Sequence, residues 1–280
     1  MKALAGTIGA ALEQARARGV ARLDAQLLLA HLVQRPREWL LAHDDAPLTR
    51  AQQHDFAELC RRRAEDEPVA YLVGEREFHG LLLQTNPAVL VPRPDTETLV
   101  DWALELLRLP LAEQPRVADL GTGSGAIALA LKHRYPDASV CAVERSAPAL
   151  EVARANAARL ALAVEWLQGD WWQPLDGRHF ELVVSNPPYI AAEDPHLAAL
   201  RHEPAEALTP GGDGLAALQR IVAGATAHLL DGGWLLLEHG HDQGEAVHRL
   251  LQRAGFTAVA TRADLAGRPR CSGGRWCGGG

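Results

Sequence analysis

The second half of the chain alternates short apolar runs with stretches of helical spacing, and this pattern strongly constrains the fold. The apolar runs predict strands at residues 116–120, 139–143, 164–167, 182–185 and 234–237. Helical spacing is found at residues 126–132, 147–160, 215–229 and 245–254. Strands that alternate with helices predict an α/β fold, with a parallel sheet covered on both faces. In such sheets ligands bind beyond the carboxyl ends of the strands, so we expect the chemistry there.

The first part of the chain has a different pattern and predicts a small helical domain. Apolar residues between positions 23 and 32 follow helical spacing, and Pro36 and Pro47 separate successive helices. Residues 68–92 mix Val, Tyr, Phe and Leu with Gly74 and Gly80, which is typical of a hairpin. We therefore predict a helical partner-binding domain at 1–67, a hairpin linker at 68–92 and the α/β domain at 93–280.

Composition excludes some classes of function. The net charge of −7 argues against sequence-independent binding to duplex DNA, because phosphate neutralisation supplies most of that affinity. The short basic run at 61–63 is typical of a solvated helix face. Apolar runs fall short of the roughly 20 residues that a membrane span needs, and the N-terminus resembles a helix more than a signal peptide. We expect a cytoplasmic protein whose four scattered cysteines are reduced thiols.

A glycine-rich segment, Asp119 to Gly125, lies between a predicted strand and a predicted helix. Glycines permit positive φ and a close approach of ligand to backbone, and the helix N-terminus offers N–H groups to an anionic group. A dinucleotide or the carboxylate end of S-adenosylmethionine would suit this loop, and so would a tight turn without a ligand. Glu144 ends the next strand, 23 residues after Gly121, where an acid can accept hydrogen bonds from ribose hydroxyls. The alternative for Glu144 is an exposed charge.

The segment Gly169-Asp170-Trp171-Trp172 follows the third predicted strand. An indole ring there can cover an adenine face, and an aspartate can accept a hydrogen bond from the adenine amino group. Adjacent side chains on an extended segment point in opposite directions, so at most one tryptophan is expected to contact the ligand. We choose Trp171, with Asp170 as a second candidate; the alternative is that both indoles belong to the core or to a lid.

The segment Asn186-Pro187-Pro188-Tyr189 follows the fourth predicted strand. Two prolines fix φ and remove two N–H donors, which leaves nearby carbonyl groups available. The Asn186 side-chain oxygen and the Pro187 carbonyl can each accept one N–H of a planar NH2 group, and Tyr189 can provide an aromatic wall. The arrangement is suited to an amino group on an sp² carbon, and adenine and a carboxamide fit equally well. A proline-stiffened turn is the alternative.

The ordered set DLGTGSG, Glu144, GDWW, NPPY and LLLEHG resembles class I, Rossmann-like methyltransferases. More narrowly, it is similar to the protein-glutamine N5-methyltransferases that act on peptide chain release factors, the PrmC/HemK family. Further similar segments are ARLDAQLLLAHL, PVAYLVGEREFHG, VPRPDTE, EPAEAL and DLAG, so that the resemblance covers nearly the whole chain. Glu144 stands where the family often has Asp, and His202 where Phe is common.

The resemblance implies S-adenosylmethionine as the methyl donor, no metal, and the glutamine of the Gly-Gly-Gln motif of class I release factors as the substrate. It implies that the donor is bound by Gly121, Thr122, Gly123, Ser124, Gly125, Glu144, Trp171 and Asn186. The glutamine would be held by Asn186, Pro187, Pro188 and Tyr189, with Asn186 and Tyr189 catalytic. The N-terminal helices would contact the release factor.

Other functions share part of this pattern. NPPY also occurs in adenine-N6 nucleic-acid methyltransferases, but these need a basic recognition surface that an acidic chain does not predict. Ribosomal-protein glutamine methyltransferases differ at VPRPDTE. Asn186 and Glu144 argue against a non-catalytic adaptor, and a dehydrogenase would leave NPPY without a purpose. We expect neither a nucleic-acid substrate nor a membrane partner.

Overall fold

The computed structural model describes residues 6–109 and 112–278, which divide into two compact units. The first unit ends at Glu75 and the second begins at Arg76. Within the predicted linker 68–92, residues Val69–Val73 form a helix and the following residues form a two-stranded hairpin. The predicted domain limits at 67 and 92 stay a prediction.

The first unit is helical. Its helices are α1 (Ile8–Ala17), α2 (Arg22–Val33), α3 (Arg37–Ala42), α4 (Arg50–Ala64) and α5 (Val69–Val73). A capping box starts α4, since the Thr49 hydroxyl accepts from the Gln52 N–H and the Gln52 side chain accepts from the Thr49 N–H. The apolar faces of the helices meet in one core around Leu28, Leu40 and Phe56.

The basic run of α4 is neutralised within this unit. Its ion pairs are Arg61 with Glu58 and Glu65, Arg62 with Glu67, and Arg63 with Asp24. A run that is paired in this way presents little uncompensated positive charge to a phosphate backbone.

The second unit contains a seven-stranded sheet of order β5-β4-β3-β6-β7-β9-β8 and a separate hairpin of β1 and β2. The strands are β1 (Glu75–Phe78), β2 (Leu81–Gln84), β3 (Arg116–Leu120), β4 (Ser139–Glu144), β5 (Glu165–Gln168), β6 (Phe180–Ser185), β7 (Leu229–Glu238), β8 (Thr257–Ala263) and β9 (Pro269–Arg275). Strands β3 to β7 are parallel, whereas β9 is antiparallel to β7 and to β8. The predicted α/β fold is confirmed.

Helices cover both faces of the sheet. They are α6 (Glu97–Leu107), α7 (Ala126–Arg134), α8 (Ala147–Leu160), α9 (Ala205–Leu208), α10 (Ala216–Ala225) and α11 (Gly244–Arg253). Successive residues of β6 point to opposite faces: Leu182 and Val184 pack in the cluster with α6 and α7, and Val183 packs in the cluster with α10 and α11. No helix of the described residues is long and apolar enough to cross a membrane.

The predicted helix at 215–229 is too long, and the predicted strand at 234–237 is too short. The helix ends at Ala225, and β7 already begins at Leu229. Two adjacent glycines, Gly232 and Gly233, are typical of an interruption between elements, but here they lie within β7. Gly232 has φ of 81°, and the pairing register between β6 and β7 shifts after Phe180, so the strand is irregular at this point. All four cysteines are free; Cys277 is exposed and the other three are buried.

The order of the strands creates a crevice. After β3 the chain adds β4 and β5 on one side, and it then returns to place β6 on the other side of β3. The register pairs Leu120 with Ser185, and the Ser185 hydroxyl donates to the Leu120 carbonyl at 2.6 Å. The segments that follow β3 and β6 therefore begin side by side, at the position where doubly wound sheets bind ligands.

Asn156 joins the hairpin and the glycine loop to α8. Its side chain is fully buried; it accepts from the Gln84 N–H at 2.6 Å and donates to the carbonyls of Gln84 and Ser124 at 3.1 and 3.0 Å. We expect Asn156→Ala to lower the free energy of unfolding by about 2–4 kcal/mol, because it leaves these partners unsatisfied. Urea denaturation of the full chain measures this change. The exposed Glu151 of the same helix supplies the control, and Glu151→Ala should stay within about 0.5 kcal/mol. Equal losses in the two variants would contradict the assignment.

Candidate functional site

A cavity of about 340 Å³ lies at the carboxyl ends of β3, β4 and β6. This volume is within the range of small-molecule sites. The cavity is lined by most of the residues that the sequence suggested: Gly121, Thr122, Gly123, Ser124, Glu144, Trp171, Asn186 and Pro188. The other three predicted residues, Gly125, Pro187 and Tyr189, are next to lining residues in the chain but do not themselves line the cavity.

The glycine loop folds back over β4. The N–H groups of Gly121 and Thr122 both donate to the Val143 carbonyl, at 2.9 and 3.0 Å. Gly125 has φ of 83°, and a Cβ atom there would lie only 3.0 Å from the Trp166 ring. Only glycine fits that position, because the turn and the close packing both exclude a side chain.

Asp119 lies fully buried beneath the loop. Its Oδ2 accepts from the Thr122 hydroxyl at 2.5 Å and from the Ala128 N–H at 3.2 Å, whereas Oδ1 has no hydrogen-bond partner among the described residues. Burial raises the pKa of Asp119 to about 7, although these two hydrogen bonds oppose the shift. No role was predicted for Asp119, and the available signal was an acid near the end of an apolar run.

The Glu144 carboxylate is oriented by two backbone N–H groups. Oε2 accepts from Gly123 and Oε1 from Ser146, both at 2.9 Å. Each carboxylate oxygen has further lone pairs, so that the group can also accept from a diol in the cavity. This arrangement fits the hydroxyls of a ribose.

Only one of the two adjacent tryptophans lines the cavity, but the segment is a turn and not the extended stretch that was predicted, since Trp172 has helical φ and ψ of −81° and −15°. Trp171 lines the cavity with φ of 52°, and its ring lies so near the loop that a Cβ atom on Gly121 would be 3.1 Å from it. Trp172 instead stacks on His228 with ring centroids 4.8 Å apart, and its Nε1 donates to the Ile221 carbonyl. Trp172 is therefore partly buried against the core cluster of α10 and α11 and does not line the cavity. Asp170, the second candidate for the adenine amino group, lines the cavity and forms an ion pair with Arg220 at 2.6 Å.

The Asn186 side chain is held from behind. Its Nδ2 donates to the Thr96 hydroxyl at 3.1 Å, which leaves Oδ1 as the amide atom that can accept from a ligand. Tyr189 points its hydroxyl inward and donates to Glu238 at 3.1 Å. Its role as an aromatic wall stays a prediction. Its backbone is enclosed, since a Cβ atom on Gly214 would lie 2.2 Å from the Tyr189 carbonyl oxygen.

An ion pair between the half-exposed Arg93 and the buried Glu203 connects two further segments of the sequence. The Glu203 side chain is 2% exposed; it pairs with Arg93 and accepts from the Val91 N–H at 3.0 Å. It thereby joins VPRPDTE to EPAEAL beside the cavity. This contact was not predicted from the sequence, because residues 93 and 203 are 110 positions apart in the chain.

The cavity presents charges of both signs. Its acidic lining residues are Glu144, Asp170 and Glu206, and its basic ones are Arg93, Arg145 and Arg220. A ligand with an amino-acid end and a nucleoside end fits this donor and acceptor set. The doubly wound sheet, the glycine loop, the acid that ends β4 and the NPPY segment after β6 together define a class I methyltransferase, for which S-adenosylmethionine is the methyl donor.

Known proteins place the chain more narrowly. Residues 96–262 match the Methyltransferase small domain family, and residues 7–74 match the PrmC N-terminal domain. The chain is 51% identical over 268 residues to the release factor glutamine methyltransferase of Xylella fastidiosa strain Temecula1, with 95% of this chain and 97% of the relative covered. It is 44% identical over 270 residues to the enzyme of that name from Escherichia coli K12, with 95% and 96% covered. The chain belongs to the family of release factor glutamine methyltransferases, and the predicted resemblance is confirmed.

A solved structure supports the fold independently. The methyltransferase from Pyrococcus furiosus matches with a TM-score of 0.52 and 19% identity, covering 70% of this chain and 89% of that one. At this identity the likeness shows the methyltransferase fold and does not address the substrate.

Glu144 offers a direct test of the donor site. We expect Glu144→Ala to weaken S-adenosylmethionine binding by about 10- to 100-fold, because hydrogen bonds to a charged group contribute about 1.5–3 kcal/mol. Isothermal titration calorimetry gives the dissociation constant. Glu165→Ala is the matched control, since Glu165 is an exposed acid that pairs with Arg178 at the start of β5. An unchanged affinity in Glu144→Ala would remove Glu144 from the donor site.

Proposed function

We propose that this protein transfers a methyl group from S-adenosylmethionine to the side-chain amide nitrogen, N5, of the glutamine in the Gly-Gly-Gln motif of class I peptide chain release factors. One observation carries the proposal: Asn186 is held by Thr96 through Nδ2, and it lines the same cavity as the glycine loop and Glu144. The names of the related proteins support the choice of substrate.

The donor site follows from the cavity. S-adenosylmethionine, when bound, supplies an electrophilic methyl group on a sulfonium sulfur. Glu144 accepts from the ribose hydroxyls, and Trp171 covers the adenine face. The loop of Gly121 to Gly125 receives the amino-acid end, where backbone N–H groups can bind a carboxylate. The expectation that the reaction needs no metal stays a prediction.

The glutamine site uses two acceptors. The Asn186 Oδ1 and the Pro187 carbonyl each accept one N–H of the substrate NH2 group, and Pro188 stiffens the segment. The amide lone pair is delocalised and a poor nucleophile. Two acceptors raise its electron density and align it with the methyl group, and alignment of this kind contributes about 7–11 kcal/mol in ideal systems. The nitrogen releases its proton once it carries the methyl group.

The charge distribution argues against the nucleic-acid alternative. The NPPY segment by itself would also accept the amino group of a flipped adenine. The net charge is −7, and the arginines at 61–63 are paired with carboxylates, so this run offers little uncompensated positive charge to a duplex. We infer a protein substrate, met by the N-terminal helices in the cytoplasm, where translation terminates.

Mass spectrometry of a class I release factor tests the proposed activity. After incubation with the enzyme and S-adenosylmethionine, the peptide that contains Gly-Gly-Gln should gain the mass of one methyl group, located on glutamine. A release factor with that glutamine changed to alanine should gain none. Absence of the modification with a folded enzyme that binds S-adenosylmethionine would refute the proposal.

Asn186 should affect turnover far more than donor binding. We expect Asn186→Ala to lower kcat by about 10²- to 10³-fold, as loss of one preorganised polar group does in other enzymes, while donor affinity changes much less. Asn86→Ala is a matched control, because Asn86 also precedes a proline but is exposed and only caps the Ala88 N–H. Equal losses of kcat and of donor affinity in Asn186→Ala would contradict the assigned role.

A further inference from the structure

A buried polar network lies behind Asn186 and joins motifs that the proposed function leaves unused. Thr96, from VPRPDTE, is 4% exposed, and Glu238, from LLLEHG, is 1% exposed. Asn186 Nδ2 donates to the Thr96 hydroxyl, and the Tyr189 hydroxyl donates to Glu238 Oε1, both at 3.1 Å. The Thr96 hydroxyl also interacts with the Glu238 carboxyl group, and this interaction lowers the pKa of that carboxyl. Glu238 thus interacts with Tyr189, the last residue of the NPPY segment, and with Thr96, which is the partner of Asn186, the first residue of that segment.

The ionised carboxylate gives this network a direction. A carboxylate is an acceptor only, whereas a threonine hydroxyl has one proton to donate and lone pairs with which to accept. The Thr96 proton is therefore committed to Glu238. Oγ1 can then only accept from Asn186, so the amide must present Nδ2 to Thr96 and Oδ1 to the cavity.

The opposite orientation of the amide would defeat the chemistry. It would place Nδ2, with two N–H donors, against the NH2 group of the substrate, which is itself a donor. Two donors that face each other cannot form a hydrogen bond, and the acceptor that aims the nucleophile would be lost. The Asn186 side chain alone does not choose between these orientations, because its two ends are almost equal in shape.

We propose that Thr96 and Glu238 are positioning residues that hold the Asn186 amide with Oδ1 toward the substrate nitrogen. This inference rests on the proposed function and deepens it. Neither residue touches the substrate; both act through Asn186.

The surroundings of Glu238 make the orientation depend on pH. Burial raises the pKa of Glu238 to about 7, while its hydrogen bonds with Thr96 and Tyr189 and the charge of Arg270 lower it. Arg270 does not fully compensate the carboxylate, because it also pairs with Asp95 at 3.1 Å and with Asp264 at 3.2 Å. The negative charge of Asp95 adds to the upward shift, and the neighbouring thiol of Cys271 has its own pKa raised by burial and by Glu238.

The sign of the pH effect follows from the raised pKa. Above about pH 7 the carboxylate is ionised and the direction of the hydrogen bonds is fixed. Below it the carboxyl group can donate to Thr96, which then can donate to Asn186, and the flipped amide becomes accessible. We expect kcat for glutamine methylation to fall as the pH falls through about 7.

Variants at Thr96 separate positioning from packing. Thr96→Val keeps the shape but removes the hydroxyl, and we expect kcat to fall on the order of 10²-fold, as small misplacements near a reacting centre can cause. The KM for the release factor and the S-adenosylmethionine affinity should change by less than roughly threefold. Thr96→Ser restores the hydroxyl and should recover most of kcat. Thr257→Val, at an exposed hydroxyl that bonds the Arg275 carbonyl, is the control for loss of a threonine hydroxyl elsewhere.

Two kinetic outcomes would overturn the proposal at Thr96. One is a wild-type kcat in Thr96→Val, and the other is a Thr96→Ser enzyme as impaired as Thr96→Val. Donor binding measured on each variant shows that the site is folded, so that a loss of kcat with intact binding supports positioning. If Thr96→Val loses both kcat and donor binding, and Thr96→Ser restores neither, the proposed positioning role of Thr96 would also be overturned.

Glu238→Gln tests the carboxylate itself. The glutamine amide both donates and accepts, so it keeps the shape but not the direction of the hydrogen bonds. We expect kcat to be low at every pH and the decrease through about pH 7 to disappear. The same decrease in Glu238→Gln as in the wild type would show that another group titrates, and would overturn the role of Glu238.

A spectroscopic measurement keeps the inference separate from the proposed function. The side-chain amide of Asn186 gives a pair of ¹H–¹⁵N signals that Asn186→Ala identifies by their loss. With the donor bound and no release factor present, this pair should shift in Thr96→Val and Glu238→Gln but not in Thr257→Val. An unshifted pair in the first two variants refutes the network, whatever the enzyme methylates. A shifted pair in an enzyme that leaves release factors unmodified refutes only the proposed function.

Discussion

The pairing of β3 with β6 is the interaction on which the site depends. These strands are neighbours in the sheet although β4 and β5 intervene in the chain, and Leu120 and Ser185 are paired at their ends. The Ser185 hydroxyl adds a side-chain bond to the Leu120 carbonyl. A shift of one residue would exchange the faces of all side chains of β6 and would move Asn186 away from the glycine loop. The buried, two-sided packing of Leu182, Val183 and Val184 makes such a shift unfavourable.

Local patterns predicted the parts of the fold that are held by local or near-neighbour contacts. Strand β3 and helix α8 have the predicted limits, because each has a clear apolar period and a clear terminal signal. The antiparallel strands β8 and β9 were missed. Most residues of β8 are partly or fully exposed, and β9 contains two adjacent glycines, so that neither strand has the apolar run of a buried parallel strand. The pairing of β9 with β7 and of β8 with β9, and not their composition, makes them strands.

The candidate site divides in the same way. The glycine loop, Glu144, Trp171 and Asn186 could be chosen from the sequence because each lies at or just after the end of a strand, and the structure brings these four features to one cavity. The partners that orient them could not be chosen. Thr96 and Asn186 are 90 residues apart in the chain, and Tyr189 and Glu238 are 49 apart. The spacing of residues in the sequence does not predict hydrogen bonds between positions so far apart. The one available signal for Glu238 was an acid directly after the apolar run of β7.

Two buried carboxyl groups show why an orienting network is needed at all. Asp119 and Glu238 lie at the ends of β3 and β7, fully or almost fully buried, and each has one oxygen without a hydrogen-bond partner among the described residues. Leaving a buried polar atom unsatisfied costs about 1–3 kcal/mol, so both acids are destabilising relative to apolar residues. A cost of this size is consistent with a function, because active sites are where such strain is retained.

For Glu238 that function is to set the direction of the hydrogen bonds that orient Asn186. Two acceptors can bind any planar NH2 group, but only if the Asn186 amide points Oδ1 toward it. The Thr96 hydroxyl can both donate and accept, so by itself it does not select this orientation. The Glu238 carboxylate can only accept, and it therefore imposes the orientation through Thr96. The chemistry of the NPPY segment therefore depends on a residue of β7 that never meets the substrate.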